Sequence, residues 1–352
     1  AGRDSGMNVK DAVVHLVDGH SLSQEEAAGA MRDIVEGLAT PAQIAALMIA
    51  LRMKGETPQE IAGFAQIMRE YATRVEAGDD VVDLVGTGGD GSRTFNISTI
   101  SAIVVAALGG KVAKHGNRGI TSACGAADIL EALGIAIDLP PQGVAQSVKE
   151  CGFGFMFAPL YHPAMRQVMA PRREIGVRTV FNLLGPITNP ARAGRQLTGV
   201  AVGDLTQTIA EVAALLGTQK SVVIHGSDGL DEITITGPTQ AYDVENGQVQ
   251  AFTISPQDYD IPLAEQAAIR GGTVEDNLSI ARSILGGEQG APRDVVLLNA
   301  GTGAYVAGLA SSIGDGIKKA SEALSSGAAR AKLEDIRVVS ARLKQQFGTS
   351  AA

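Results

Sequence analysis

At Val81 the hydrophobic period of the chain changes, and that change limits the fold more than any other feature. Before it, apolar residues such as Ile44, Leu47, Met48 and Leu51 recur at helical spacing. After it, short β-branched runs alternate with helical stretches. Strands are expected at 81–85, 111–113, 197–202 and 221–225, and helices at 98–108, 123–133 and 206–216. Strand–helix alternation implies parallel pairing with helices laid over the sheet. The expected fold class is α/β, a mostly parallel sheet covered by helices, with a small all-helical N-terminal domain. A strand at 233–236 opens an antiparallel excursion over 233–250, turning at Asn246-Gly247. The domains are expected at 7–77 (helical) and 78–352 (α/β), hinged at 76–80.

Three helix starts in the first domain carry one signature. Ser23, Thr40 and Thr57 are each followed three residues later by Glu26, Gln43 and Glu60, and Pro41 and Pro58 occupy the first helical positions. These are capping boxes, which satisfy amide groups that a helix end leaves unpaired. Ala1 to Gly6, ahead of Met7, read as a cloning remnant and carry no fold signal.

Composition narrows the class. The net charge of −9 and the lack of a Lys/Arg run argue against a nucleic-acid partner. No stretch reaches the roughly 18 apolar residues of a membrane span, and no secretory signal order opens the chain. Two cysteines, Cys124 and Cys151, cannot build a disulfide framework or a zinc site. A soluble cytoplasmic enzyme or binding protein is expected.

The strand at 81–85 runs into Gly86-Thr-Gly-Gly-Asp-Gly91, which matches the dinucleotide pattern G-x-G-x-x-G letter by letter. The context refuses it. No helical pattern opens at Gly91, and no Asp or Glu occurs between Gly91 and Ala127 to hold a ribose. No Gly-Lys-Ser/Thr follows, so a Walker loop is excluded too. What remains suits an anion: Gly86, Gly88, Gly89 and Gly91 allow close backbone approach, and Asn96-Ile97-Ser98-Thr99 opens and caps the next helix. A second strand leads into Lys114-His115-Gly116-Asn117-Arg118-Gly119, then Thr121-Ser122. Its cations Lys114, His115 and Arg118 would stand beside the first loop at the carboxyl edge of the sheet. Further on, Asp231 and Glu232 in "HGSDGLDE" suit Mg²⁺, which favours carboxylate, water and phosphate oxygens.

Taken in order, GTGGD, FNIST, KHGNR, GAADILEALG, FAPLYHPAM, RTVFNLLGPITNP and DGLDEI resemble anthranilate phosphoribosyltransferase. The pyrimidine nucleoside phosphorylases share that fold and a KHG-type loop. The GTGGD loop, Asn117 and the acidic pair argue against that alternative. The acidic charge and near-intact motifs argue against a non-catalytic nucleic-acid-binding relative.

The resemblance implies transfer of the 5-phosphoribosyl group from phosphoribosyl pyrophosphate to the amine of anthranilate, releasing pyrophosphate, in tryptophan biosynthesis. It implies a homodimer joined through the helical domain, which would also take in helices at about 169–190. Phosphoribosyl pyrophosphate contacts fall on Gly86, Gly89, Asp90, Thr94, Asn96, Ser98, Thr99, Lys114 and Ser122. Mg²⁺ would be held by Ser98, Asp231 and Glu232. Anthranilate would meet Gly86, His115, Asn117 and Arg172, and Lys114 and His115 are the catalytic candidates. His115 could accept a proton or support its loop. Arg166, Arg173 and Arg178 are expected to make structural ion pairs. Two positions depart from the family pattern: Thr121 stands where Ser is common, and Ala126 where a serine often contacts the phosphoribosyl group.

Overall fold

The computed structural model describes residues 6–119 and 123–348, so Thr121 and Ser122 lie outside the described residues. Helices α1 (Val9–Val17), α2 (Gln24–Val35), α3 (Pro41–Lys54) and α4 (Pro58–Glu70) precede strand β1 (Val81–Gly86). There follow α5 (Ile97–Ala107), β2 (Lys111–Gly116), α6 (Ala126–Ala132), α7 (Pro141–Cys151), β3 (Phe153–Phe157) and α8 (Ala158–Tyr161). Next come α9 (Arg166–Ile175), α10 (Phe181–Ile187), β4 (Arg195–Gly199), α11 (Thr206–Leu215) and β5 (Lys220–Gly226). The hairpin β6 (Thr239–Glu245) and β7 (Gln248–Ile254) leads to α12 (Val274–Leu285), α13 (Ala291–Val306), α14 (Ile313–Ser325) and α15 (Ala328–Phe347).

The three capping boxes form as the sequence predicts: Ser23, Thr40 and Thr57 each accept the amide three residues on, whose side chain returns to the cap. Met31, Ile34, Leu47, Met48, Leu51 and Phe64 then share one core with Val168 of α9 and with Phe181, Leu184 and Ile187 of α10. The same cluster reaches Val212 of α11 and Val223 of β5, so the helical bundle is seated against the sheet.

The sheet has seven strands in the order β3-β2-β1-β4-β5-β6-β7. The first five run parallel, and β6 and β7 are antiparallel. Asn246 (φ 52°) and Gly247 (φ 75°) make the hairpin turn, both left-handed as a type I′ turn requires. The strand expected at 233–236 is absent, and the antiparallel pair lies at 239–254. The hydroxyls of Thr234 and Thr236 donate to Asp228 Oδ2 (2.7 and 2.8 Å), folding that stretch into a side-chain-bonded loop. The edge strand β3 has no β-branched residue in Phe-Gly-Phe-Met-Phe, which hid it from a pattern search. Helix α6 begins at Ala126 rather than 123, because Asp128 Oδ2 takes the Gly125 amide at 2.9 Å and fixes the start.

From β1 the chain moves outward to β2 and β3, then crosses back to lay β4 on the other side of β1. Ligands of open parallel sheets bind where the strand order reverses, outside the carboxyl ends. Here that place is the pair Gly86 and Gly199, register partners at the ends of β1 and β4.

Candidate active site at the carboxyl edge of the sheet

The loop carrying Asp231 sits directly on those two glycines. A Cβ on Gly199 would overlap the Asp231 carbonyl, and one on Gly86 would overlap the Asp231 carboxylate. Sequence reasoning read Gly86 as room for a ligand and missed Gly199. Both are glycine because another part of the chain closes over them. Asp231 Oδ2 then accepts the Gly88 amide at 2.6 Å. Gly88, Gly89 and Gly91 all take left-handed φ values (68°, 73° and 73°), which explains the glycine density of the loop.

The start of α5 differs from expectation. Asn96 makes no cap hydrogen bond. Its amide donates instead to the Cys124 carbonyl at 3.1 Å, tying the first loop to the segment that opens α6. The Ser98 amide of the first turn is accepted by Glu232 Oε1 at 3.1 Å. The hydroxyl of Ser98 accepts from Lys114 Nζ at 3.4 Å, while the Thr99 hydroxyl is buried without a hydrogen-bond partner among the described residues. Thr94 lies in an antiparallel bridge with Arg270. Asp90 accepts from the Ser92 amide and hydroxyl, at 3.3 and 2.6 Å.

Lys114 is almost fully buried, its Nζ donating to the Leu84 carbonyl as well. Burial pushes its pKa down, against the pull of Asp83 and Glu232. Beneath it, buried Asp83 accepts the His115 amide (3.3 Å) and the Asn189 amide nitrogen (2.7 Å). Burial raises the Asp83 carboxyl to about 6, with Lys114 opposing.

The acids behave as a group under strain. Burial lifts Asp231 to about 6, and Asp90 adds to the rise. Burial and then Asp231 lift Glu232 to about 8. Neighbouring carboxylates that repel one another in a dry site are relieved by a cation. Asp231, Glu232 and the Ser98 hydroxyl offer only hard oxygen donors, which fit Mg²⁺. Among the described residues no group of three or more His, Cys, Asp or Glu could hold a metal by itself.

Residues 78–330 match the α/β domain of a glycosyl transferase family and residues 10–72 its helical bundle domain. The anthranilate phosphoribosyltransferase of Moorella thermoacetica is 51% identical over 327 residues, covering 93% of this chain and 96% of its own. That of Thermomicrobium roseum is 50% identical over 335 residues, with 94% and 96% covered. The crystal structure of the enzyme from Thermus thermophilus superposes with a TM-score of 0.88 at 42% identity, over 94% of this chain and 99% of that one. The Saccharomyces cerevisiae enzyme, solved in complex with phosphoribosyl pyrophosphate and Mg, gives 0.86 at 26% identity, covering 95% and 98%. The chain belongs to the anthranilate phosphoribosyltransferase family.

His115 Nδ1 lies 3.2 Å from the Gly185 carbonyl, so that nitrogen carries the proton, and Nε2 is buried without a partner among the described residues. The His162 ring packs on it with centroids 5.0 Å apart, and its nitrogens are buried, with the Thr188 backbone the one group that favours its protonation. Burial holds these two histidines down to about 3 and about 4, so both are neutral at pH 7. His162 lies in the FAPLYHPAM motif and was not singled out from the sequence. Its signal there was a single histidine, between Tyr161 and Pro163, in an otherwise apolar and aromatic stretch.

Asn117 is exposed and its Oδ1 accepts the Arg118 amide at 2.8 Å. Arg118 is neutralised by Asp128 (2.8 Å) and Glu131 (2.9 Å), which corrects its placement among the anion-binding cations. Arg172, on α9, has no hydrogen bond or ion pair from its guanidinium among the described residues, and burial lowers its pKa. The ion pairs expected of Arg166, Arg173 and Arg178 are not made among the described residues; Arg178 instead bonds the glycine loop. Ser122 lies outside the described residues.

Proposed function

We propose that this protein transfers the 5-phosphoribosyl group of phosphoribosyl pyrophosphate to the amine of anthranilate with release of pyrophosphate, as an Mg²⁺-dependent enzyme of tryptophan biosynthesis. The observation that carries the reading is the junction of loop, helix and acids. Asp231 accepts the Gly88 amide while its neighbour Glu232 accepts the Ser98 amide. A glycine loop, a helix N-terminus, a buried lysine and an acidic pair are therefore linked by hydrogen bonds, a donor set that suits a polyanion with a hard cation.

The pyrophosphate moiety would lie on the loop amides of Gly86, Gly89 and Asp90, with Thr94, Asn96, Ser98, Thr99, Lys114 and Ser122 as further contacts. Negative charge grows on the pyrophosphate as the anomeric C–O bond stretches, and preorganised N–H groups and the Lys114 ammonium stabilise that charge more in the transition state than in the ground state. Ser98, Asp231 and Glu232 would hold Mg²⁺, which supplies charge neutralisation to the leaving group. Anthranilate would bind beside Gly86, His115 and Asn117, and Arg172 would fork its carboxylate. The amine already bears a lone pair and needs no strong base. The low pKa of His115 makes it a poor proton sink, which favours orientation of the acceptor through its free Nε2 over general-base catalysis.

The helical domain, completed by about 169–190, leaves Val14, Val17 and Met53 open to solvent, Met53 at 81% exposure. These exposed apolar side chains of α1 and α3 support a homodimer joined through the helical domain, with sedimentation as its test. Among the described residues no helix is long and apolar enough to cross a membrane, and a cytoplasmic location is part of the proposal.

Loss of anthranilate fluorescence tests the whole reading. Consumption is expected only when phosphoribosyl pyrophosphate and Mg²⁺ are both present. No consumption, or phosphorolysis of thymidine or uridine instead, overturns it.

A further inference from the structure

The glycine loop is held from two sides. On one, Asp231 takes the Gly88 amide (2.6 Å). On the other, Arg178 Nη1 donates to the carbonyls of Gly88 (3.2 Å) and Gly89 (2.9 Å), and Nη2 to Gly88 (3.2 Å). The guanidinium lies so close that a Cβ on Gly89 would overlap Nη1. Two consecutive glycines with left-handed φ have little conformational restraint of their own, so an external fork governs their order.

Arg178 does not come from the sheet. It stands in the short connection between α9 and α10, two residues beyond Gly176, which ends α9 in the left-handed conformation with its amide bonded to the Arg172 carbonyl (3.2 Å). Arg172, whose guanidinium has no partner among the described residues, is therefore six positions from Arg178 on one bonded segment. α9 itself packs against α3 and α2 of the helical domain.

We propose that Arg178 is a positioning residue that couples the two substrate sites: it fastens the pyrophosphate loop to the segment carrying Arg172, so that filling either site orders the other. The identity of the two ligands rests on the transferase reading above. A carboxylate drawn to Arg172 fixes the end of α9, and the fixed α9–α10 connection holds Arg178 on the loop carbonyls. By thermodynamic linkage the effect is reciprocal, so an ordered loop presents Arg172 in place for the acceptor.

The test uses the full-length protein, Arg178→Ala and Arg178→Lys, with Mg²⁺ pyrophosphate as a probe that fills the loop without reacting with anthranilate. Calorimetric titrations are run with and without saturating anthranilate. In the wild type, anthranilate is expected to tighten pyrophosphate binding by a factor of about 5 or more. In Arg178→Ala, pyrophosphate is expected to bind about tenfold more weakly, with the tightening by anthranilate reduced to about onefold. Lysine keeps the charge but not the fork, and is expected to recover only part of both effects. Wild-type coupling in Arg178→Ala, or full recovery by lysine, overturns the clamp. So does a variant with a lowered thermal midpoint but unaltered binding. A wild type that never consumes anthranilate overturns the transferase reading itself, whereas normal turnover with unchanged Arg178→Ala binding overturns the coupling alone.

Discussion

Glu232 Oε1 accepts the Ser98 amide at 3.1 Å, so the first turn of α5 is closed by an acid from the other half of the sheet. The bond joins the helix that follows the glycine loop to the acidic loop across the sheet edge. It also keeps Glu232 half-buried beside Asp231, where both carboxyls are raised well above their ordinary range.

Because those two acids repel in the folded state, neutralising one should separate stability from activity. Glu232→Gln is expected to lower kcat/KM by roughly a hundredfold or more while raising the thermal midpoint by about 2–4 °C. Asp231→Asn should show the same split with a weaker Mg²⁺ dependence. Calorimetry and initial rates against Mg²⁺ concentration check both; undiminished activity with unaltered Mg²⁺ dependence removes these residues from the metal site.

Arg172→Ala should raise KM for anthranilate by roughly 10- to 100-fold, the worth of a charged bidentate hydrogen bond. KM for phosphoribosyl pyrophosphate should change far less. Steady-state kinetics with each substrate varied in turn decide this, and an equal loss for both contradicts the role.

Buried His115 and His162 make the fold sensitive to acid. Their folded pKa values, about 3 and about 4, lie below the unfolded value near 6.5, so the unfolded chain binds the extra protons. Their contribution is intact above about pH 6.5 and is lost as pH falls toward 4, with a slope approaching about 1.4 kcal/mol per pH unit for each histidine. Urea unfolding of His162→Phe across that window should show a shallower slope than the wild type. An identical slope would sink the assignment, whatever the absolute stability of the variant.

Gly199→Ala tests the seat of the acidic loop. The added methyl overlaps the Asp231 backbone carbonyl, which cannot rotate aside as a side chain could. A loss of about 1–3 kcal/mol in stability is expected together with loss of activity, read by denaturation and by rate. Gly86→Ala overlaps chiefly the Asp231 carboxylate, which can turn aside, with the Asp231 carbonyl 3.3 Å away, and should cost activity more than stability.

The parallel sheet was legible because β-branched runs, glycine helix ends and capping boxes are local signals. β3 was not, since its aromatic sequence lacks that signature, and the 233–236 stretch misled because Asp228 captures its threonines. Lys114, Ser98 and the acidic pair could be named from the sequence as one site, and they do share hydrogen bonds. Which partner each takes could not be read. Asn96 leaves the cap to Glu232, Arg118 goes to Asp128, and Arg178 goes to the glycine loop. Those choices depend on elements separated by 28 to 134 residues, or turned aside by a neighbouring helix. Gly199 and His162 escaped notice because their significance lies in what packs on them.

The 134 residues between Ser98 and Glu232 also set when the site can exist. Closing so long a stretch costs entropy that only the docked strands β4 and β5 offset, so the acids reach the glycine loop late in folding. A nascent chain that has made β1, α5 and β2 holds a bare anion loop without its acids. If the site takes a metal-complexed polyanion as proposed, that ability is withheld until both halves of the sheet are joined, and ligand protection during refolding should appear only with the last, longest-range contacts.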